Sequence, residues 1–189
     1  MNIITRPYGS RHCYCRPDTT WERESKDFYV PEGMSGLQWA PIVFVRISKA
    51  GKCIGRRFAS RYYDAFNFGV LMYCIPEDES AIAFTSCADH SSLLPFPLYN
   101  PVVMENEGNV FEVEAGGGTL FSLHMNQEEL TGLIEEAICT ASCTTSLRIG
   151  DFVAVELQPL TDLCSRKDSE MTLKGSFCNK DLFDIKVIF

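Results

Sequence analysis

Long apolar runs are missing from this chain of 189 residues. None approaches the ~20 consecutive apolar residues that a bilayer-spanning helix requires, so no membrane partner is expected. Positive charge is also in deficit. Lys and Arg number 17 against 25 Asp and Glu, a net charge of −8, and a nucleic-acid partner normally demands a clustered basic face. The densest basic groups, Lys49 to Lys52 and Arg56 to Arg61, read as a solvated turn and a helix face. The opening MNIITRPYGSRH lacks the apolar core of a secretory signal, and a cytoplasmic protein is expected. The triple glycine at 116–118 is followed by Thr119 and Leu120, not by the Gly-Lys-Ser/Thr that ends a phosphate loop. Histidine is scarce: His12, His90 and His124 are the whole supply.

Cysteine, by contrast, is plentiful. Nine thiols without an export signal point to a reducing compartment, and an odd number forbids complete internal pairing. Cys13 and Cys15 are too close for a zinc knuckle, while Cys139 and Cys143 share one face of a predicted helix. A zinc site joining the two pairs is the lesser reading. The stronger one treats the thiols as small core hydrophobes.

Residues 1–36, with Pro7, Gly9, Pro17, Pro31, Gly33 and Gly36, read as an irregular N-terminal arm or lid. Ile42 to Ile47 and Phe68 to Ile75 are apolar runs expected of strands buried on both faces. Arg56 to Ala65 is expected as a short helix and Val102 to Met104 as a strand, followed by strands at 110–114 and 120–125. The clearest helix starts at Asn126, a good cap with Glu129 three residues on. Leu130, Leu133, Ile134, Ala137, Ile138 and Ala141 form its apolar face. Gly150 suits a turn with positive φ, and Asp151 can hold neighbouring amides. Phe152, Ala154 and Glu156 then alternate with Val153, Val155 and Leu157. Residues 159–170 read as polar loop, with strands at 171–173 and 184–189. Strands dominate, so an α+β class with curled mixed sheets is expected.

Two stretches carry a family resemblance. Residues 40–76, APIVFVRISKAGKCIGRRFASRYYDAFNFGVLMYCIP, and 119–157, with its LRIGD turn, resemble the metal-binding core of the fumarylacetoacetate hydrolase family. The segment Ala88 to Leu94 is similar to that family's Lys-x-Phe-Asp stretch, the lysine falling on Ser86. The resemblance implies a strand-rich mixed β-sheet roll with few short helices, as a single domain over residues 37–189. In the family, two glutamates one residue apart and a later aspartate hold a divalent cation, magnesium or calcium, which stabilises an enolate on a diketo or 2-oxo acid. The matching positions here are Ala40, Ile42 and Leu71, which supply no oxygen. No cofactor is therefore expected, the family magnesium or calcium being lost. The family's histidine–glutamate pair would fall to His12 with Glu22 or Glu24, a spacing that fits poorly.

These losses favour a non-catalytic relative acting in binding or assembly, as a homodimer or as a heterodimer with a related subunit. The alternative is a hydrolase or isomerase with a rebuilt, metal-independent site around Asp89 and His90, with Cys87 beside them. A third reading is a sensor for a small organic acid, with Arg46, Arg57 or their neighbours Arg56 and Arg61 as carboxylate partners.

Overall fold

A computed structural model describes residues 1–78, 81 and 84–189. The two apolar runs of the sequence are the middles of two long strands, β5 (Met34–Ile47) and β6 (Tyr63–Pro76), paired antiparallel along almost their whole length. The far side of β5 is shared. Its second half pairs with β10 (Phe152–Glu156) and its first half with β11 (Thr161–Ser165). Outside β10 lie β1 (Ile3–Arg6), parallel to it, and then β2 (Tyr14–Arg16). Outside β6 lie β7 (Ser92–Leu93) and β3 (Trp21–Glu22). Together these make a mixed eight-stranded sheet.

A second sheet runs β4-β13-β12-β8-β9. It is built from β4 (Phe28–Tyr29), β13 (Lys180–Ile188), β12 (Glu170–Phe177), β8 (Val110–Ala115) and β9 (Gly118–His124). The α-helix α1 (Gln127–Thr144) starts as the sequence predicts. Asn126 Oδ1 accepts the Glu129 amide at 3.2 Å, and Leu130, Ile134, Ala137, Ile138 and Ala141 are buried.

Strand alternation divides the interior. Leu37, Trp39, Val43 and Val45 of β5 point into the main core, with α1 and the second sheet. Ile42 and Phe44 point the other way, into a smaller cluster with Ile3, Leu71, Tyr73, Leu94, Phe152 and Ala154. A strand buried on both faces cannot show an apolar–polar alternation, which is why both runs read as continuous.

Four local readings need correction. Residues 1–36, expected to be irregular, contribute β1 to β4 and the start of β5. Their backbone finds partners on strands distant in sequence, which turn-forming residues do not forecast. Arg56–Arg61 is a 3-10 helix, and β6 begins already at Tyr63. Val102 to Met104 lies in a 3-10 helix, Pro101–Glu105, because Pro101 sits at its start and Asn100 caps the Val102 amide. The polar stretch at 161–165 is a strand because β5 offers it an edge. The LRIGD turn forms as read: Gly150 has φ 89°, and Asp151 accepts the amides of Asn2 and Arg148 at 2.7 and 2.8 Å.

Candidate functional site

The smaller cluster faces the region where the resemblance puts chemistry. Ala40 lies directly opposite Leu71, and Ile42 opposite both Gly69 on β6 and Glu156 on β10. Ala40, Ile42 and Leu71 are fully buried. Directly opposed residues share a face in an antiparallel pair, so the three converge on one face. Trp21 closes over the cluster, its ring edge-on to Phe152 at 5.3 Å and its indole N–H donating to Leu94 O at 3.0 Å. Gly69 makes room for β7, since a Cβ there would stand 2.1 Å from the Leu93 carbonyl oxygen.

On the same face the apolar patch gives way to a buried polar chain. Leu71 is followed at i+2 by Tyr73, and Ala154 by Glu156. The Tyr73 hydroxyl donates a short hydrogen bond to Glu156 Oε1, and the Tyr14 and Tyr73 hydroxyls are 2.6 Å apart. Tyr73 has one proton and gives it to Glu156, so Tyr14 is the donor within the pair. Glu156 Oε2 accepts the Tyr8 amide at 3.0 Å. Burial pushes the Glu156 carboxyl above its ordinary range, opposed by the Tyr73 and Tyr8 hydrogen bonds and by Arg16. Burial also pushes Tyr73 far up, with Tyr14 and Glu156 adding to the shift, and raises Tyr14.

Arg16, 1% exposed, lies behind this chain with its guanidinium carbon 4.8 Å from the Tyr73 ring centre. Nη2 donates to Met72 O at 2.9 Å and to Ser91 Oγ at 2.7 Å. Nε and Nη1 meet no protein acceptor among the described residues, nor does the buried Thr5 hydroxyl. A buried guanidinium with two idle donors is a costly arrangement that an anion relieves. A pocket of about 440 Å³ opens against Tyr14, Tyr73 and Glu156, with Thr85, Ser86 and Tyr8 also lining it. Ser86, at the position of the family lysine, thus faces the chain.

The other residues singled out by the sequence are scattered. His90 Nδ1 is 2.8 Å from Glu22 Oε2, and Glu22 is buried; Asp89, next in sequence, is exposed. Cys87 is half-buried and free. Arg46 pairs with Asp64 at 3.3 Å, and Arg57 lies 4.5 Å over the Phe58 ring; neither lines the tyrosine pocket. His12 is exposed; of the two partners considered for it, Glu22 belongs to His90 and Glu24 pairs with Lys26 at 3.2 Å. Arg16, Tyr14 and Tyr73 escaped the sequence reading. The one available signal was Glu156, a carboxylate placed in phase with Phe152 and Ala154 on an apolar strand face.

All nine cysteines are free. Burial raises the thiols of Cys13, Cys74 and Cys164 to about 11, which keeps them protonated and inert.

No protein-family profile matches the sequence, and no curated protein matches it. Solved structures do match the fold. A maleylpyruvate hydrolase from Sphingobium sp. SYK-6 superposes with a TM-score of 0.75 at 12% identity, covering 99% of this chain and 70% of that one. A fumarylpyruvate hydrolase from Pseudomonas aeruginosa, in complex with Mn²⁺ and pyruvate, gives 0.74 at 14% identity, covering 100% and 88%. A Yersinia pestis CO92 protein ascribed to the fumarylacetoacetate hydrolase family gives 0.73 at 14% identity, covering 99% and 91%. The chain therefore has the α+β fold of fumarylacetoacetate hydrolase-type proteins.

These neighbours correct the expectation for cofactors, which was none, with magnesium or calcium as the ion lost. The P. aeruginosa structure, and a second structure of the Sphingobium enzyme, hold manganese(II) together with pyruvate. The residues of this chain do not fit such an ion at the resembling positions. Ala40, Ile42 and Leu71 carry no donor atom, and among the described residues no group of three or more His, Cys, Asp or Glu side chains is arranged to hold a metal.

Proposed function

We propose that this chain uses a fumarylacetoacetate hydrolase-type fold for binding and not for turnover, and that it binds a small organic acid against Tyr14, Tyr73 and Glu156. One observation carries the reading. Ala40, Ile42 and Leu71 meet on a single buried face, sealed by Phe44, Phe152 and Trp21, where catalysis of the family type calls for carboxylates. That face stabilises the sheet and offers nothing to a developing enolate. The polar chain beside it is suited to an anion. Arg16 supplies positive charge from behind Tyr73, and Tyr14 lines the pocket. The pyruvate held by two structural neighbours supports a 2-oxo acid as the ligand class.

A reducing, cytoplasmic setting and a dimer, with itself or a related subunit, belong to the same proposal. Calorimetric titration with pyruvate tests binding. An assay of fumarylpyruvate and maleylpyruvate hydrolysis with added manganese tests turnover. Pyruvate binding without hydrolysis is expected. Hydrolysis abolished by EDTA overturns the reading.

A second reading, an enzyme with a rebuilt site, is favoured by one contact only. His90 is oriented by Glu22, whose other oxygen accepts the Glu24 amide at 2.6 Å. A histidine held through Nδ1 by a buried carboxylate can act as a base through Nε2. It would replace the Asp89–His90 pair foreseen in the sequence. Loss of a hydrolase activity in His90→Gln, with stability unchanged, would favour this reading over the first.

A further inference from the structure

A second pocket, of about 390 Å³, lies between the first turns of α1 and the ends of β9 and β10. Its apolar lining comes from Leu123, Leu130, Leu133, Val155 and Leu157. It shares Pro7, Tyr8 and Glu156 with the tyrosine pocket, so the two are lobes on either side of one short turn. That turn is fixed through its backbone. The Ser10 amide donates to Pro7 O at 3.0 Å, Gly9 takes φ 67°, and the Tyr8 amide is tied to Glu156 at 3.0 Å. The Tyr8 side chain is exposed and lines both lobes.

The lobes differ in chemistry. The tyrosine lobe has hydroxyls, a carboxyl and the nearby Arg16 cation. The second lobe has charged residues in its wall, but they are engaged elsewhere: Arg6 donates to Ser10 O at 2.9 Å and meets Glu136 at 3.0 Å, and Glu129 Oε2 is 3.4 Å from the capping Asn126 side chain. What the lobe offers an occupant is its leucine and valine wall. A molecule that fits both lobes has a carboxylate at one end and an apolar chain at the other.

We infer that the acid bound by this protein is elongated: a 2-oxo or related carboxylic acid whose alkyl or aryl tail passes Tyr8 and lies against Leu123, Leu130 and Leu133. The inference rests on the proposed acid site at Tyr14 and Tyr73 and names the class of acid. Head and tail then contribute differently. The head fixes orientation through few polar contacts, and the tail contributes affinity in proportion to the area it buries.

The test is calorimetric titration of the full chain with straight-chain 2-oxo acids, from pyruvate to 2-oxodecanoate. Affinity is expected to climb by about fourfold per added methylene until the lobe is filled, as burial of one CH₂ implies. Leu133→Trp fills the lobe from α1 and Leu123→Phe fills it from β9; both residues are only half-buried, so two independent variants are available should one misfold. Either is expected to level the chain-length series while pyruvate binds as before. Equal affinity for short and long acids overturns the inference and leaves the acid site standing. A chain-length gain that survives both fillings also overturns it. Failure of every acid to bind, pyruvate included, removes the acid site and this inference with it.

Discussion

The hydroxyls of Tyr14 and Tyr73 lie 2.6 Å apart, and only one of them can be the donor. The direction is decided at the far end of the chain, by the charge of Glu156. While Glu156 is ionised it draws the Tyr73 proton, Tyr14 donates to Tyr73, and both protons are spent inward. A protonated Glu156 can instead donate to Tyr73, Tyr73 can then donate to Tyr14, and the Tyr14 proton becomes free for another acceptor.

Binding of pyruvate is therefore expected to depend on pH. Burial raises the folded-state pKa of Glu156 above the unfolded one, so the receptive protonated form prevails below the folded value and is lost as pH rises through it. Above that value the association constant should fall by about tenfold per pH unit, as linkage to one proton requires. Tyr14→Phe, which removes the released donor, should flatten the profile. Affinity that rises with pH would contradict the scheme.

Tyr73→Phe leaves Glu156 and the Tyr14 hydroxyl without their shared partner inside the fold. A loss of roughly 1–3 kcal/mol is expected from an orphaned buried polar group, read as a lower urea midpoint. A midpoint equal to the parent's would mean that the chain contributes nothing to stability.

Arg16→Met removes the buried positive charge. Nε and Nη1 meet no protein acceptor among the described residues, but Nη2 donates to Met72 O and Ser91 Oγ. A stability loss of roughly 1–3 kcal/mol is therefore expected from the acceptors left behind, read separately from binding as the urea midpoint. Pyruvate affinity should drop through loss of the positive charge behind the Tyr73 ring, a through-space effect and not a lost contact. Unchanged affinity would assign Arg16 a purely structural role.

Gly69→Ala drives a methyl into the Leu93 carbonyl, 2.1 Å from the ideal Cβ position. Backbone must move, and β7 is only two residues long. Hydrogen exchange should show β7 and its neighbour β3 losing protection while β5 retains it.

Much of this fold was legible because its local rules agree with its global pairing. The Asn126 cap, the α1 stripe and the Gly150–Asp151 turn each depend on residues close in sequence, and each formed as read. Pairing between distant segments left no local trace. Nothing in Ile3 to Arg6 announces a strand whose neighbours are residues 14–16 and 152–156, and the strand at 161–165 exists only because β5 is long enough to need a second partner. The site was half legible for the same reason. Ala40, Ile42 and Leu71 could be named from a resemblance, since they occupy definite positions in two strands. Arg16, Tyr14 and Tyr73 become a unit only when β2 is laid over β6, and Glu22 reaches His90 only across the sheet edge.

The place of β1 also governs how the molecule comes into being. Its ladder partner on one side is β10, about 150 positions later in the chain. During synthesis the first strand emerges early and must wait, its inner edge unpaired, until Phe152–Glu156 has left the ribosome. Tyr14 and Arg16 arrive with the waiting segment and Glu156 with the late one, so the pocket cannot form before residues 152–156 have joined the sheet.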